Sequence, residues 1–251
     1  MPDMKQNVRL KVRRQDNPRS LPYWDEFEVP YVERMNIVTC LMSILRNPVN
    51  VRGEKVAPVV WECNCLEEVC GACTMVINGR VQQSCSALVD QFEQPITLEP
   101  MTKFPVIRDL AVDRGAMFEM LKKVHAWIEI DGSHNMGPGP KQDPNKSLKA
   151  YEFSRCMTCG CCCEACPQFN SHSPFIGAFA FGQVRLFNSH PTGRFNSSER
   201  LDSIMEMGGL ADCGNVQNCF RACPKEIPLT DAIADLGWAT TKRMVTKFLK
   251  E

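Results

Sequence analysis

The feature that most constrains this chain is a cysteine spacing that occurs twice. Residues 156–167 read Cys-Met-Thr-Cys-Gly-Cys-Cys-Cys-Glu-Ala-Cys-Pro, and residues 213–224 read Cys-Gly-Asn-Val-Gln-Asn-Cys-Phe-Arg-Ala-Cys-Pro. Aligned on their Cys-Pro ends, both runs hold cysteine at the same three positions, and a fourth position is Cys159 in one and Val216 in the other. Cys63, Cys65, Cys70, Cys73 and Cys85 form an earlier group, and Cys40 stands alone. The total of 15 cysteines is odd, so disulfides would leave a thiol unpaired. In 251 residues it also falls short of the cysteine density of a small disulfide scaffold. The first 30 residues lack the apolar stretch of a signal peptide, and no run approaches the roughly 18 apolar residues of a spanning helix. The sequence therefore predicts a soluble chain in a reducing compartment, where thiols persist and metal ligation is their leading use. Equal numbers of basic and acidic residues, 29 each, give no support for nucleic-acid binding.

The spacing defines which metal groups to expect. Cys65-x4-Cys70-x2-Cys73 with distal Cys85 is the plant-type [2Fe–2S] pattern, three thiolates on one loop and a fourth from farther along. Gly71 lets backbone approach the sulfurs without a Cβ in the way. Tetrahedral zinc is the competing use of four cysteines, although zinc ribbons favour two C-x2-C pairs. Cys63 breaks the pattern and is read as a non-ligand. The run from Cys156 is C-x2-C-x2-C-x3-C-P, the bacterial ferredoxin run, with Cys161 and Cys163 off the spacing. In two-cluster ferredoxins the fourth cysteine of each run ligates the other cluster. That rule assigns Cys156, Cys159, Cys162 and Cys223 to a [4Fe–4S] cluster. Cys166, Cys213 and Cys219 remain for the other; valine cannot bind iron, so a [3Fe–4S] cluster is expected there.

The chain reads as an α+β N-terminal domain, a connector and an all-α C-terminal domain. Alternation over 8–13 predicts a strand, Asp16-Asn17-Pro18 a turn, and Phe27-Glu28-Val29 the returning strand of a hairpin. Residues 35–46 have helical period, with Ile37, Cys40, Leu41, Ile44 and Leu45 on one face, and Asn47-Pro48 stops the helix. Thr74–Ile77, Asn78-Gly79 and Arg80-Val81 form the strongest hairpin signal. Residues 129–147 read as linker or surface loop. Ser197-Ser198 opens a helix to about Met207, ended by Gly208-Gly209, and Leu229–Leu249 is helical after Pro228.

These three cysteine groups, in this order and with Val216 at the missing position, resemble the iron–sulfur subunits of succinate dehydrogenase and fumarate reductase. The resemblance covers nearly the whole chain. It implies a plant-ferredoxin-like β-grasp domain over 1–112 holding the [2Fe–2S] cluster and a connector over 113–147. A helical, bacterial-ferredoxin-like domain over 148–251 would hold the [4Fe–4S] and [3Fe–4S] clusters. It further implies electron flow from the FAD of a flavoprotein partner through the three clusters to a membrane quinone. The other implied partner is a membrane-anchor cytochrome b subunit carrying haem b, which would hold this chain at the cytoplasmic face of the bacterial membrane. Many members follow the equivalent of Cys166-Pro167 with serine and tryptophans, whereas this chain has Gln168, Phe169, Asn170 and Ser171. Gly214 stands where a quinone-proximal histidine is often found. Together with 64–73 and 184–193, these departures resemble Bacillus-type members and imply menaquinone near the [3Fe–4S] cluster and a diheme anchor.

Two other uses stay open at this level: a free multi-cluster ferredoxin-like carrier and a zinc-stabilised interaction module. Operation as a fumarate reductase also stays open, because ligands alone do not set direction. No Gly-rich dinucleotide fingerprint, Walker loop or Ser–His–acid grouping is present, so no catalytic residue is assigned. His125, His134, His172 and His190 are isolated. Cys40 fits a helix core as a small hydrophobe. Lys242, Arg243, Lys247 and Lys250 suit the end of the last helix. Phe175, Phe179 and Phe181 suit either the helical core or an anchor interface.

Overall fold

The computed structural model describes residues 7–129 and 141–249. The chain divides into two compact units: the first runs to Arg114 and takes in Cys159–Cys161, and the second runs from Gly115 to Thr158 and resumes at Cys162.

In the first unit, β1 (Asn7–Arg14) and β2 (Tyr23–Pro30) form the expected antiparallel hairpin, with Val8 opposite Val29 and Leu10 opposite Phe27. The Asn17 side chain accepts the N–H groups of Arg19 and Ser20, which sets the turn. Helix α1 (Ile37–Arg46) buries Ile37, Val38, Cys40, Leu41 and Ile44. Leu45, expected on that face, is exposed: it lies in the last turn, where Ile37, Leu41 and Ile44 already complete the i, i+4, i+7 stripe. β3 (Thr74–Ile77) and β4 (Arg80–Gln83) pair through Asn78 and Gly79, both left-handed, as a two-residue hairpin of this type requires. β5 (Ile96–Glu99), unforeseen from its four residues, lies parallel to β1 and antiparallel to β3, giving the order β2-β1-β5-β3-β4. β6 (Val106–Arg108) and β7 (Ala111–Val112) make a separate two-stranded sheet. The core lies between the sheet and α1, with Val8, Leu10, Val12, Leu41, Ile77 and Leu98 among its members.

Arg14 and Asp109 are fully buried and paired, Nε to Oδ1 at 2.9 Å. Arg14 also donates to the Ala57 carbonyl, and Asp109 accepts the Val60 N–H. A buried ion pair holds only when its remaining hydrogen-bonding capacity is met. Here the chain entering the first cysteine group meets most of it, through the Ala57 carbonyl and the Val60 N–H, while Arg14 Nη1, without a hydrogen bond among the described residues, faces Asp25 Oδ2 at 3.7 Å.

From Gly115 onward the described residues form helices without strands: α2 (Gly115–Lys123), α3 (Pro144–Ser154), α4 (Cys161–Glu164), α5 (Ala178–Ser189), α6 (Ser197–Met205), α7 (Asn218–Arg221) and α8 (Leu229–Phe248). The supposed linker includes residues 130–140, outside the described residues, but 144–147 form the first turn of α3. Asp143 caps that helix by accepting the Asn145 N–H, and Pro144 at its start needs no N–H partner. Helix α6 follows a 3-10 turn over Gly193–Asn196 without a side-chain cap and ends at Met205, two residues before Met207, because Glu206 is extended. Phe175, Phe179 and Phe181 are buried and belong to the core of this unit. The α5–α8 contact depends on Gly182, where a Cβ would come within 3.0 Å of Leu229 Cδ2.

Arg200 is buried and donates to the carbonyls of His125, Trp127 and Gly193 and to Asn188 Oδ1. Arg243 and Lys247 of α8 pair with Asp202 of α6, so two of the terminal cations clamp helices together. His190 Nδ1 accepts the N–H groups of Thr192 and Gly193, and the His125 ring packs on Trp127. His134 and Lys250 lie outside the described residues.

Candidate functional site

Cys63, Cys65, Cys70 and Cys73 of the first cysteine group occupy a loop between α1 and β3, and Cys85 follows β4. Leu66, Glu68 and Gly71 are left-handed, which costs a non-glycine residue roughly 1–2 kcal/mol each. The tight winding turns backbone N–H groups onto sulfur. Glu67 and Val69 donate to Cys65 Sγ at 3.3 and 3.4 Å, and Ala72 donates to Cys70 Sγ at 3.5 Å. These donors favour a thiolate, and they hold the Cys65 thiol down at about 7, with Glu67 contributing most. Cys73 and Cys85 lie deeper, packed with Val38. Burial first, and then the hydrogen bond with Cys73, push the Cys85 thiol up to about 12.

The ligand-bearing backbone is tied down from several sides. Asn36 Nδ2 donates to the Cys85 carbonyl at 2.8 Å, and Ser84 Oγ donates to that of Cys73 at 2.9 Å. Arg114 donates to the carbonyls of Gly71 and Ala72 and to Glu62. The fully buried Gln83 accepts from Cys73 Sγ through Oε1 and donates to Thr74 Oγ1. The sequence reading missed Asn36, Ser84, Gln83 and Arg114, which no spacing within the cysteine pattern marks. The loop distinguishes Cys65 from its neighbour Cys63: Cys65 carries two N–H donors, whereas burial, then the charges of Cys73, Cys70 and Cys65, push the Cys63 thiol up.

The two later runs share backbone conformation position by position. Thr158 and Gly160 are left-handed around Cys159, and Asn215 and Gln217 are left-handed around Val216. The short helices α4 and α7 occupy the same register in the two runs. The Cys166 N–H bonds to the Cys163 carbonyl as the Cys223 N–H bonds to that of Phe220. Val216 thus stands in the same local structure as Cys159, with a hydrocarbon where the other run has sulfur.

Within the second unit, Cys219 is buried with Cys162, Cys166 and Cys213 close enough for their charges to act on it; burial is the main cause of a thiol pushed up to about 11. A pocket beside it is lined by Cys166, Gln168, Cys213, Gly214, Val216 and Cys219. Asn218 Nδ2 donates to the Ala165 carbonyl at 3.0 Å, joining the second run to the first. Cys166, Cys213 and Cys219 are therefore brought together. Cys156, Cys162 and Cys223 lie in the second unit, whereas Cys159 is grouped with the first. A hydrogen bond from Cys161, ahead of opposing burial, lowers the Cys159 thiol to about 7. Cys40, Cys161 and Cys163 are fully buried.

This donor chemistry fits iron–sulfur clusters: grouped thiols, with N–H donors aimed at sulfur in the first group and left-handed residues between the ligand positions of all three. The family model described as "2Fe-2S iron-sulfur cluster binding domain" matches residues 9–119. The succinate dehydrogenase iron-sulfur subunit of Bacillus subtilis (strain 168) is 58% identical over 96% of this chain and 95% of its own length. The fumarate reductase iron-sulfur subunit of Wolinella succinogenes is 30% identical over 86% of this chain and 89% of its own. A chain from a solved structure, "Mycobacterium smegmatis Sdh1 complex in the apo form", shares the fold with a TM-score of 0.77 at 21% identity, covering 96% of this chain and 98% of that one. Fold and site define an iron–sulfur protein whose first part is of the ferredoxin class. Within that class, the chain belongs to the family of iron–sulfur subunits of succinate dehydrogenase and fumarate reductase.

Proposed function

We propose that this chain is the electron-transfer subunit of a succinate:menaquinone oxidoreductase, carrying electrons from the FAD of a flavoprotein partner to the quinone. The observation that carries this reading is 58% identity to the Bacillus subtilis succinate dehydrogenase subunit along nearly the full length of both chains. The first unit's five-stranded sheet with α1 is then a plant-ferredoxin-like β-grasp over 1–112. Residues 113–147 connect it to an all-α, bacterial-ferredoxin-like domain over 148–251.

Cys65, Cys70, Cys73 and Cys85 would hold [2Fe–2S]; Cys156, Cys159, Cys162 and Cys223 [4Fe–4S]; and Cys166, Cys213 and Cys219 [3Fe–4S]. Bound there, the clusters supply one-electron carriers whose potentials follow from type, burial and hydrogen bonds to sulfur. The chain's own part is to fix those variables. The Glu67, Val69 and Ala72 N–H groups neutralise sulfur charge on the exposed side of the first loop. Burial of Cys73, Cys85 and Cys219 keeps water from their sulfurs. Val216 withholds a ligand from the last site and lines the adjoining pocket with hydrocarbon.

Among the described residues no helix is long and apolar enough to cross a membrane. Membrane attachment in this reading comes from an anchor cytochrome b subunit carrying haem b, at the cytoplasmic face. Menaquinone is favoured over ubiquinone by Gln168 and Gly214, which adjoin closely enough that a Cβ at Gly214 would lie 2.9 Å from Gln168 Nε2. The fumarate-reducing direction would use the same residues; the lower identity, 30%, to the Wolinella succinogenes subunit favours succinate oxidation.

Stepwise reduction of the purified complex, followed by electron paramagnetic resonance, tests the assignment. A trinuclear signal when oxidised, a [2Fe–2S] signal on mild reduction and a [4Fe–4S] signal at low potential are expected. Absence of any one removes the corresponding ligand set, and faster turnover with ubiquinone than menaquinone analogues would remove the quinone assignment.

A further inference from the structure

Cys63 is the one cysteine of the first group that the [2Fe–2S] pattern leaves without a task. It packs, with Trp61, against the buried trio Val38, Cys73 and Cys85, so its side chain borders the site rather than facing away. Among the described residues its sulfur receives no hydrogen bond, in contrast to Cys65 with two N–H donors and Cys70 with one. The four thiols of the loop and that of Cys85 thus make five for four coordination positions.

We infer that Cys63 is a reserve ligand of the [2Fe–2S] site, able to take the coordination position of Cys73. The inference rests on the ligand set proposed above. The chemistry is a thiolate-for-thiolate exchange: the Cys63 thiol loses its proton as its sulfur bonds iron, the displaced Cys73 thiolate takes up a proton, one iron–sulfur bond replaces another, and no electron is gained or lost. Site charge is unchanged, which lets the same N–H donors serve either arrangement. In the resident arrangement Cys73 prevails because β3 and the Ser84 hydroxyl fix its backbone, whereas no hydrogen bond holds the Cys63 sulfur.

The test uses the intact complex, with iron and sulfide content and the [2Fe–2S] resonance of the succinate-reduced sample as readouts. Cys73→Ala should keep at least half of the wild-type [2Fe–2S] signal, and Cys63→Ala/Cys73→Ala less than a tenth. Equal loss in the single and double variants, or equal retention, overturns the inference. Cys73→Ser keeps the question answerable if the alanine variant does not assemble: takeover by Cys63 preserves the g-values of a four-thiolate site, and ligation by the serine oxygen shifts them and overturns the proposal. Wild-type complex without a [2Fe–2S] signal would instead refute the underlying ligand set, and so would loss of the signal in Cys63→Ala alone.

Discussion

Asn215 and Gln217 hold left-handed backbone on either side of Val216, as Thr158 and Gly160 do around Cys159. Two non-glycine residues in that conformation carry a cost of roughly 1–2 kcal/mol each, which a loop with no ligand to present has no local reason to bear. The backbone is therefore already shaped for a fourth sulfur. Val216→Cys should complete the site, so that the oxidised complex loses its trinuclear resonance and gains a fourth iron by chemical analysis. An unchanged trinuclear signal would refute the equivalence of Val216 and Cys159. Val216 was legible in the sequence because ligand spacing is local and two runs could be compared. Arg114 was not: its contacts to Gly71 and Ala72 depend on how the chain returns after β7, and no residue pattern near it encodes that return.

Helix α1 shows how one capping residue serves both an element and a site. Asn36 Oδ1 accepts the Thr39 N–H at 2.9 Å while Nδ2 donates to the Cys85 carbonyl. Serine also caps well but lacks the second arm. Asn36→Ala should destabilise the first unit by about 1 kcal/mol in chemical unfolding. Asn36→Ser should stay near wild type there, yet alter the visible circular dichroism of the [2Fe–2S] centre as the alanine variant does. Equal unfolding midpoints for the two variants would show that the cap contributes nothing. In the second unit, Asp202 joins α6 to α8. Its hydrogen bond from Arg243, reinforced by Lys247, holds the carboxyl at about 2, below its ordinary 3.8. A depressed carboxyl stabilises fully above the ordinary value and loses that contribution as pH falls toward 2. Asp202→Asn should therefore speed amide exchange in α8 about equally at pH 7 and pH 5, by the few-fold that partly exposed pairs support. A difference confined to pH 7 would contradict the assignment. Elements with a period of their own, such as β1, α1 and α8, could be read from the sequence. β5 and α3 could not: β5 is defined by its neighbours β1 and β3, and Pro144 signals a loop and a helix start equally well.

At the scale of the molecule, the first unit contains what its proposed centre requires. Cys65, Cys70, Cys73 and Cys85, the three N–H donors to sulfur, Asn36, Ser84 and Gln83 all precede residue 115. Its core is closed by the sheet and α1, and the hydrogen bonds of the buried Arg14–Asp109 pair come from within it. A fragment ending at Arg114 should therefore fold and, after anaerobic reconstitution, show the [2Fe–2S] resonance without the other two. Shortening it to residue 112 keeps β7 but removes Arg114, whose guanidinium bridges the Gly71 and Ala72 carbonyls to Glu62. The shorter fragment should retain its sheet by far-ultraviolet circular dichroism while losing iron to a chelator several-fold faster. Arg114→Lys in the longer fragment should resemble the truncation, since a single ammonium lacks the planar fork that spans two carbonyls and a carboxylate. Equal chelation rates in all three proteins would mean that the cysteine loop holds its shape through its own left-handed turns, leaving Arg114 no part in it.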